Sequence, residues 1–254
     1  LDIASLNTLA NTIDLHLIVD QIDTIEFLSH AMDASVNMWL DIETGYRRTG
    51  FHHADHETIL NAAQHIENAR YLHLNGILAH SGETYSCKTH EDIRSIYQRT
   101  LETLTTISTL LKHHGMSGNI SIGDTPIASC IDSFEGVDEI RPGNLTLYDM
   151  TQYYVGSCQQ QDIAIQVHCP VISKYPDRNE LLIHGGGVHF SKDSLVHHNT
   201  SIYGRAIDPK TGLWMEPYCD IVRLCQEHAI LRVTDEQLSA ISIGDILPIT
   251  PVHA

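Results

Sequence analysis

Along roughly the first 145 residues, short apolar β-type runs alternate with longer stretches whose apolar positions recur every three or four residues. That is the pattern of parallel β/α units. The runs at 15–19, 36–42, 72–79, 119–122 and 137–140 predict strands. Between them, 89–115 predicts the longest helix, because Ile93, Ile96, Tyr97, Leu101, Leu104, Ile107 and Leu111 share one face. Thr89 with Asp92 suits its N-terminal cap and Gly115 its stop. Segment 55–69 repeats the logic with Ile59, Ala62, Ala63 and Ile66. From about residue 158 the period drops to two. Ile163, Ile165 and Val167 alternate with Ala164, Gln166 and His168, and β-rich runs follow at 181–183, 230–233 and 246–249.

The prediction is therefore an α/β chain, with part of a TIM-type β/α barrel over residues 1–157 and a mostly antiparallel β domain over residues 158–254. A closed eight-stranded barrel takes about 250 residues, whereas only five β/α units fit before the β domain, so the sheet is expected to be open or to lack strands.

Composition narrows the class. With 254 residues, 42% hydrophobic and 19% charged, the chain has material for a sizeable core, which excludes a disordered or fibrous protein. Its 32 acidic against 15 basic residues give a net charge of -17, a field that disfavours nucleic acid and anionic lipid as partners. No apolar run approaches the roughly 20 residues of a membrane helix. Six cysteines without a C-x-x-C pair suggest reduced thiols and a cytoplasmic setting. The chain begins at Leu1 without Met, so an end is expected to be missing.

In β/α architectures the ends of the strands hold the ligand. After 36–42 comes Glu43-Thr44-Gly45-Tyr46-Arg47-Arg48-Thr49-Gly50, where two guanidinium groups could fix a carboxylate or a ring nitrogen; a solvated turn would read the same. After 72–79, His80 and Tyr85 place an imidazole and a phenol near one strand end, although a lone histidine is also a common structural residue. Gly123-Asp124-Thr125-Pro126 and Arg141-Pro142-Gly143-Asn144 follow the next two strands. Either could be an ordinary turn or offer donors to a phosphate, and neither is a P-loop or a dinucleotide fingerprint. The run His52-His53-Ala54-Asp55-His56 is metal-like in composition. It directly precedes a helix, and no second ligand group stands at matching spacing, so these side chains are expected in solvent. In the β half, His184-Gly185-Gly186-Gly187-Val188-His189, Glu227-His228 and Pro251-Val252-His253-Ala254 bring further imidazoles.

Taken in order, these motifs resemble the fold-type III pyridoxal-phosphate enzymes, the alanine racemase superfamily, in the branch of D-threonine aldolase and D-serine dehydratase. Asp41 to Gly50 is similar to the family's Asp-Thr-Gly-x-x-Arg-x-Gly element, Gly76 to Tyr85 to Gly-x-x-x-His-x-Gly-x-x-Tyr, and Gly123 to Pro126 to Gly-x-Thr-Pro. Glu139 to Asn144 is similar to Glu-x-Arg-Pro-Gly-Asn, and Ser191 to Asp193, Glu227-His228 and Gly244 to His253 complete the series.

The resemblance implies that Gly123, Asp124, Thr125, Gly143 and Asn144 hold the phosphate of pyridoxal 5'-phosphate (PLP). Arg48 would face the pyridine ring and suppress protonation of its nitrogen, with His80 and Tyr85 near the substrate and the ring. It also implies a divalent metal, Zn or Mn, on His253, with a second ligand at a position 255 that this chain lacks, leaving the β domain incomplete. Two departures stand out. None of Lys88, Lys112, Lys174, Lys192 and Lys210 matches the family's Schiff-base lysine, which lies on the first barrel strand, and the five strands correspond to the last five, so about 90 residues are expected to be absent. His184 stands where the lyases carry Asp.

The implied function is a PLP-dependent lyase acting on a β-hydroxy D-amino acid, metal-assisted and homodimeric. The alternatives are an amino-acid racemase and a non-catalytic binding relic of the same fold.

Overall fold

The computed structural model describes residues 2–254, and these form two compact units, one ending at Gly143 and the other running from Asn144 to Ala254. The sequence pattern placed its division after residue 157, where the period changes. Residues 144–157 are grouped instead with the second unit, where Thr151 of their short helix is bonded to the Val252 carbonyl just after the last strand.

In the first unit the chain runs α1 (Ile3–Ala10), β1 (His16–Val19), α2 (Ile22–Ala31), β2 (Val36–Glu43), β3 (Phe51–His52) and α3 (His56–Glu67). It continues through β4 (Leu72–Ala79), α4 (His90–His113), β5 (Asn119–Ile122), α5 (Thr125–Cys130) and β6 (Glu139–Ile140). The five main strands lie side by side in the order β1-β2-β4-β5-β6, all parallel, so every strand end that precedes a helix points the same way. All five predicted strands are present, the last reduced to two residues.

β3 is an extra short strand that pairs in parallel with the end of β2, Glu43 opposite His52. The helices bury the predicted stripes: Ile59, Ala62, Ala63 and Ile66 of α3 and Ile93, Leu104, Ile107 and Leu111 of α4 are all fully buried. Removing one such large side chain costs about 2–5 kcal/mol. Thr89 caps α4 by accepting the Asp92 amide at 3.1 Å, and Gly115 follows with φ +74°.

The second unit contains α6 (Met150–Val155), β7 (Val167–Tyr175), β8 (Glu180–His184), β9 (Leu195–His197) and β10 (Thr200–Ile202). After these come β11 (Gly204–Ala206), β12 (Asp220–Leu224), β13 (His228–Arg232), α7 (Asp235–Ala240) and β14 (Ile246–Pro251). Six strands close an antiparallel barrel in the order β11-β12-β13-β8-β7-β14, filled by Val171, Leu181, Ile183, Ile221, Leu231 and Ile249. The period-two reading extended too far at its start, since residues 163–166 are not strand. Their ladder partners would lie beyond Ile249 of β14, where that strand ends at Pro251, which has no N–H to give. β9 and β10 form a separate hairpin whose turn, His198-Asn199, takes positive φ at both positions, as a twisted two-residue hairpin requires.

Candidate active site

At the C-terminal end of β4 the chain turns through His80 and Ser81 into a short 3-10 segment, Gly82–Ser86. His80 is half-buried. Its Nδ1 lies 2.5 Å from the Gly123 carbonyl oxygen at the end of β5, and because a carbonyl can only accept, Nδ1 carries the proton and Nε2 the lone pair. Burial pushes the His80 pKa down, and the nearby positive charges of Arg48 and Arg141 add to that, so the ring is neutral at physiological pH.

Two aromatic rings flank it: Tyr46, edge-on at 5.6 Å, and Tyr85 at 6.3 Å. Tyr46 reaches His80 only because residue 82 is glycine; a Cβ there would sit 2.4 Å from the tyrosine ring. The Tyr85 hydroxyl accepts the Thr125 amide at 3.4 Å. Arg48 is exposed, with its guanidinium 5.5 Å from the Tyr46 ring. Thr49, on the same loop, is tied to the buried Asp41 at 2.6 Å.

Asp124 is almost completely buried. Its Oδ1 accepts the Ile127 amide at 2.8 Å as the cap of α5 and lies 3.0 Å from the Thr84 hydroxyl. Its Oδ2 is buried and has no hydrogen-bond partner among the described residues. Burial raises its pKa to about 7, so near neutral pH the group is protonated about half the time and can donate from an oxygen that otherwise bonds nothing. Beneath it Arg141, partly buried, gives Nε to Ser121 at 2.7 Å and an Nη to the Ala79 carbonyl at 3.1 Å, bracing the ends of β4 and β5.

In the first unit the structure thus brings together His80, Tyr85, Gly123, Asp124 and Thr125, with Arg48 on the loop that contacts His80 through Tyr46. Gly143 is exposed at the end of that unit. The first unit's two lysines, Lys88 and Lys112, are both exposed.

In the second unit, Asp149 is fully buried at the start of α6 and is bonded from four directions. Its Oδ2 accepts the Asn144 side-chain amide at 2.6 Å, His253 Nδ1 at 3.0 Å and the Ala254 amide at 3.0 Å, and its Oδ1 accepts the Gln152 amide at 2.8 Å. Asn144 thus has a structural partner. In its neutral form His253 holds its lone pair on Nε2 and donates the other N–H to a carboxylate, which is the orientation a metal-binding histidine is given by its surroundings. That arrangement fits the metal that the resemblance implies on His253. Asp149 and Thr84 were not singled out from sequence, and Arg141 was read only as part of its motif, without a role. Asp149 lies 104 residues from His253, and no spacing rule joins them.

Residues 2–150 match the family model described as "Alanine racemase, N-terminal domain". The chain belongs to that family. Residues 164–254 match a second model, "Putative serine dehydratase domain". Among curated relatives of this alanine racemase family member, the D-serine dehydratase of Dictyostelium discoideum is 29% identical over 98% of this chain and 68% of its own length. Among solved structures, the D-threo-3-hydroxyaspartate dehydratase from Delftia sp. HT23 superposes with a TM-score of 0.87 at 24% identity, over 98% of this chain and 68% of that one. The D-threonine aldolase from Filomicrobium marinum gives 0.81 at 18%, over 99% and 65%. The chain therefore spans about two thirds of the length of these proteins, and the structural matches share its α/β fold with an added antiparallel barrel.

Proposed function

We propose that this chain belongs to a PLP-dependent lyase acting on a small β-hydroxy D-amino acid, of the D-serine dehydratase or D-threonine aldolase kind. The observation that carries the reading is the meeting of neutral His80, Tyr85 and the partnerless carboxyl oxygen of Asp124 at the joined ends of β4 and β5. It occurs in a chain whose two halves match an alanine racemase and a serine dehydratase model.

PLP, when bound, supplies an electron sink for the bond broken at the substrate's α-carbon. Gly123, Asp124, Thr125, Gly143 and Asn144 would hold its phosphate, and the protonated Asp124 Oδ2 is the donor that the structure leaves unused. Arg48 would face the ring. His80 holds its proton on Nδ1 against Gly123, so its Nε2 is oriented to accept one, and the Tyr85 hydroxyl is steadied by the Thr125 amide. His253, oriented by Asp149, would hold a divalent metal that polarises the β-hydroxyl. A C353A variant of D-threo-3-hydroxyaspartate dehydratase among the structural matches is described as a metal-free form, which supports a metal in this group of lyases. None of the chain's five lysines matches the family's Schiff-base position in sequence.

The test is turnover by the protein at its native length with PLP and Zn2+ or Mn2+ added. D-serine should give pyruvate and ammonia; D-threonine should give 2-oxobutanoate and ammonia by dehydration, or glycine and acetaldehyde by cleavage. His253→Ala and chelation should each abolish product. Interconversion of alanine enantiomers without any of these products would overturn the lyase reading in favour of a racemase.

A further inference from the structure

The metal-like histidine run set aside on sequence grounds is not isolated in the fold. The loop 44–50 carries the chain away from β2 and returns it as β3, beside the strand it left, so that Glu43 and His52 stand opposite one another in the ladder. Gly50 makes the return possible: it has φ +111°, and a Cβ there would meet the Glu43 amide nitrogen at 2.6 Å. One ligand atom each from Glu43, His52 and His53 then lies within 4.8 Å of the other two.

We propose that Glu43, His52 and His53 form a divalent transition-metal site that clips together the two ends of the loop bearing Arg48. It lies wholly in the first unit and does not depend on the function proposed above. The second-layer contacts favour it. His53 Nδ1 lies 3.0 Å from the Glu43 main-chain carbonyl, which fixes the proton there and leaves the lone pair on Nε2. Glu43 Oε1 is pinned by the amides of Gly45 at 2.5 Å and Arg47 at 3.1 Å, which orients the carboxylate.

The His52 and His53 rings are stacked, with centroids 4.7 Å apart. The His52 Nδ1 accepts the Ala54 amide at 3.3 Å, a long bond that ring rotation would trade for a metal bond. Metal–ligand bonds of about 2.0–2.2 Å require the three atoms to close by about an ångström, within reach of an exposed imidazole. Two imidazoles and one carboxylate suit Zn2+ or Ni2+ better than Mg2+ or Ca2+, and three protein ligands leave a position open to solvent.

The test uses Zn2+ alone, titrated calorimetrically into the His253→Ala protein so that any site at the C-terminus is removed. One Zn2+ should bind. Adding His52→Ala, His53→Ala or Glu43→Gln should each weaken binding at least about tenfold, the last while keeping an oxygen for the Gly45 and Arg47 amides. Zn2+ should also slow tryptic cleavage after Arg47 and Arg48 in His253→Ala but not once His53→Ala is added. No binding to His253→Ala, or full affinity in any of the three further variants with unchanged circular dichroism, overturns the assignment.

Discussion

A carboxyl group that caps a helix is ordinarily ionised, and Asp124 is held where ionisation is costly. Burial outweighs its bonds from the Ile127 amide and the Thr84 hydroxyl, raising its pKa to about 7 from 3.8. The folded state therefore keeps the Asp124 proton to higher pH than the unfolded chain does. Its stabilising contribution is complete below pH 3.8 and is lost as pH rises through 7, by up to about 1.4 kcal/mol per pH unit in between. Asp124→Asn keeps the cap and removes the titration. In the cofactor-free protein, urea denaturation should show the parent losing about 1–3 kcal/mol relative to the variant between pH 5 and 7. Parallel curves would mean that Asp124 is ionised in the fold.

At the scale of elements, the period of the apolar positions carried most of the information. The stripe on α3 is buried as read, the face of α4 is buried at all its read positions but the half-buried Ile96 and Leu101, and the five parallel strands stand where the apolar runs lie. Elements set by pairing between distant segments were not legible. β11 has three residues, too few for a period to show, and β12 was not read as a strand; both take their place by closing a barrel. The same limit applied to the site. His80, Tyr85 and Thr125 follow strand ends and could be read from the order of motifs, whereas the contact of Glu43 with His52 and His53 depends on the parallel return of β3.

The joint between β11 and β12 shows how much a short strand can carry. Arg205 is fully buried, and burial alone would lower its pKa, but its paired bonds to Asp220 at 2.5 and 3.0 Å prevail and keep it charged. The guanidinium also lies 3.5 Å from the Tyr218 ring centroid and 5.1 Å from that of Trp214. Arg205→Ala should cost about 3–5 kcal/mol in chemical denaturation, because it strands Asp220 in the interior. Arg205→Met combined with Asp220→Leu should recover most of that loss; a double variant as unstable as the single one would show that the stacking, rather than the charge pair, holds this joint.

For the molecule as a whole, the net charge of -17 is balanced on histidine. Protonating all 18 imidazoles would add 18 charges and carry -17 to +1. Self-repulsion that keeps the chain dispersed at pH 8 should thus fade as pH falls through the histidine range. Light scattering at low ionic strength should rise between about pH 6 and 5 and fall again in more acid solution. Scattering that stays flat across this interval would contradict the expectation.

The chain has two tryptophans, and the fold assigns one to each compact unit. Trp39, on β2, donates its indole N–H to His16 at 3.0 Å, whereas Trp214 stands beside the Arg205 guanidinium and gives its indole N–H to Thr250 at 2.9 Å. Each unit therefore carries its own intrinsic fluorophore. Trp39→Phe and Trp214→Phe would give two single-emitter proteins, in which the order of melting of the parallel sheet and the antiparallel barrel can be followed by colour alone.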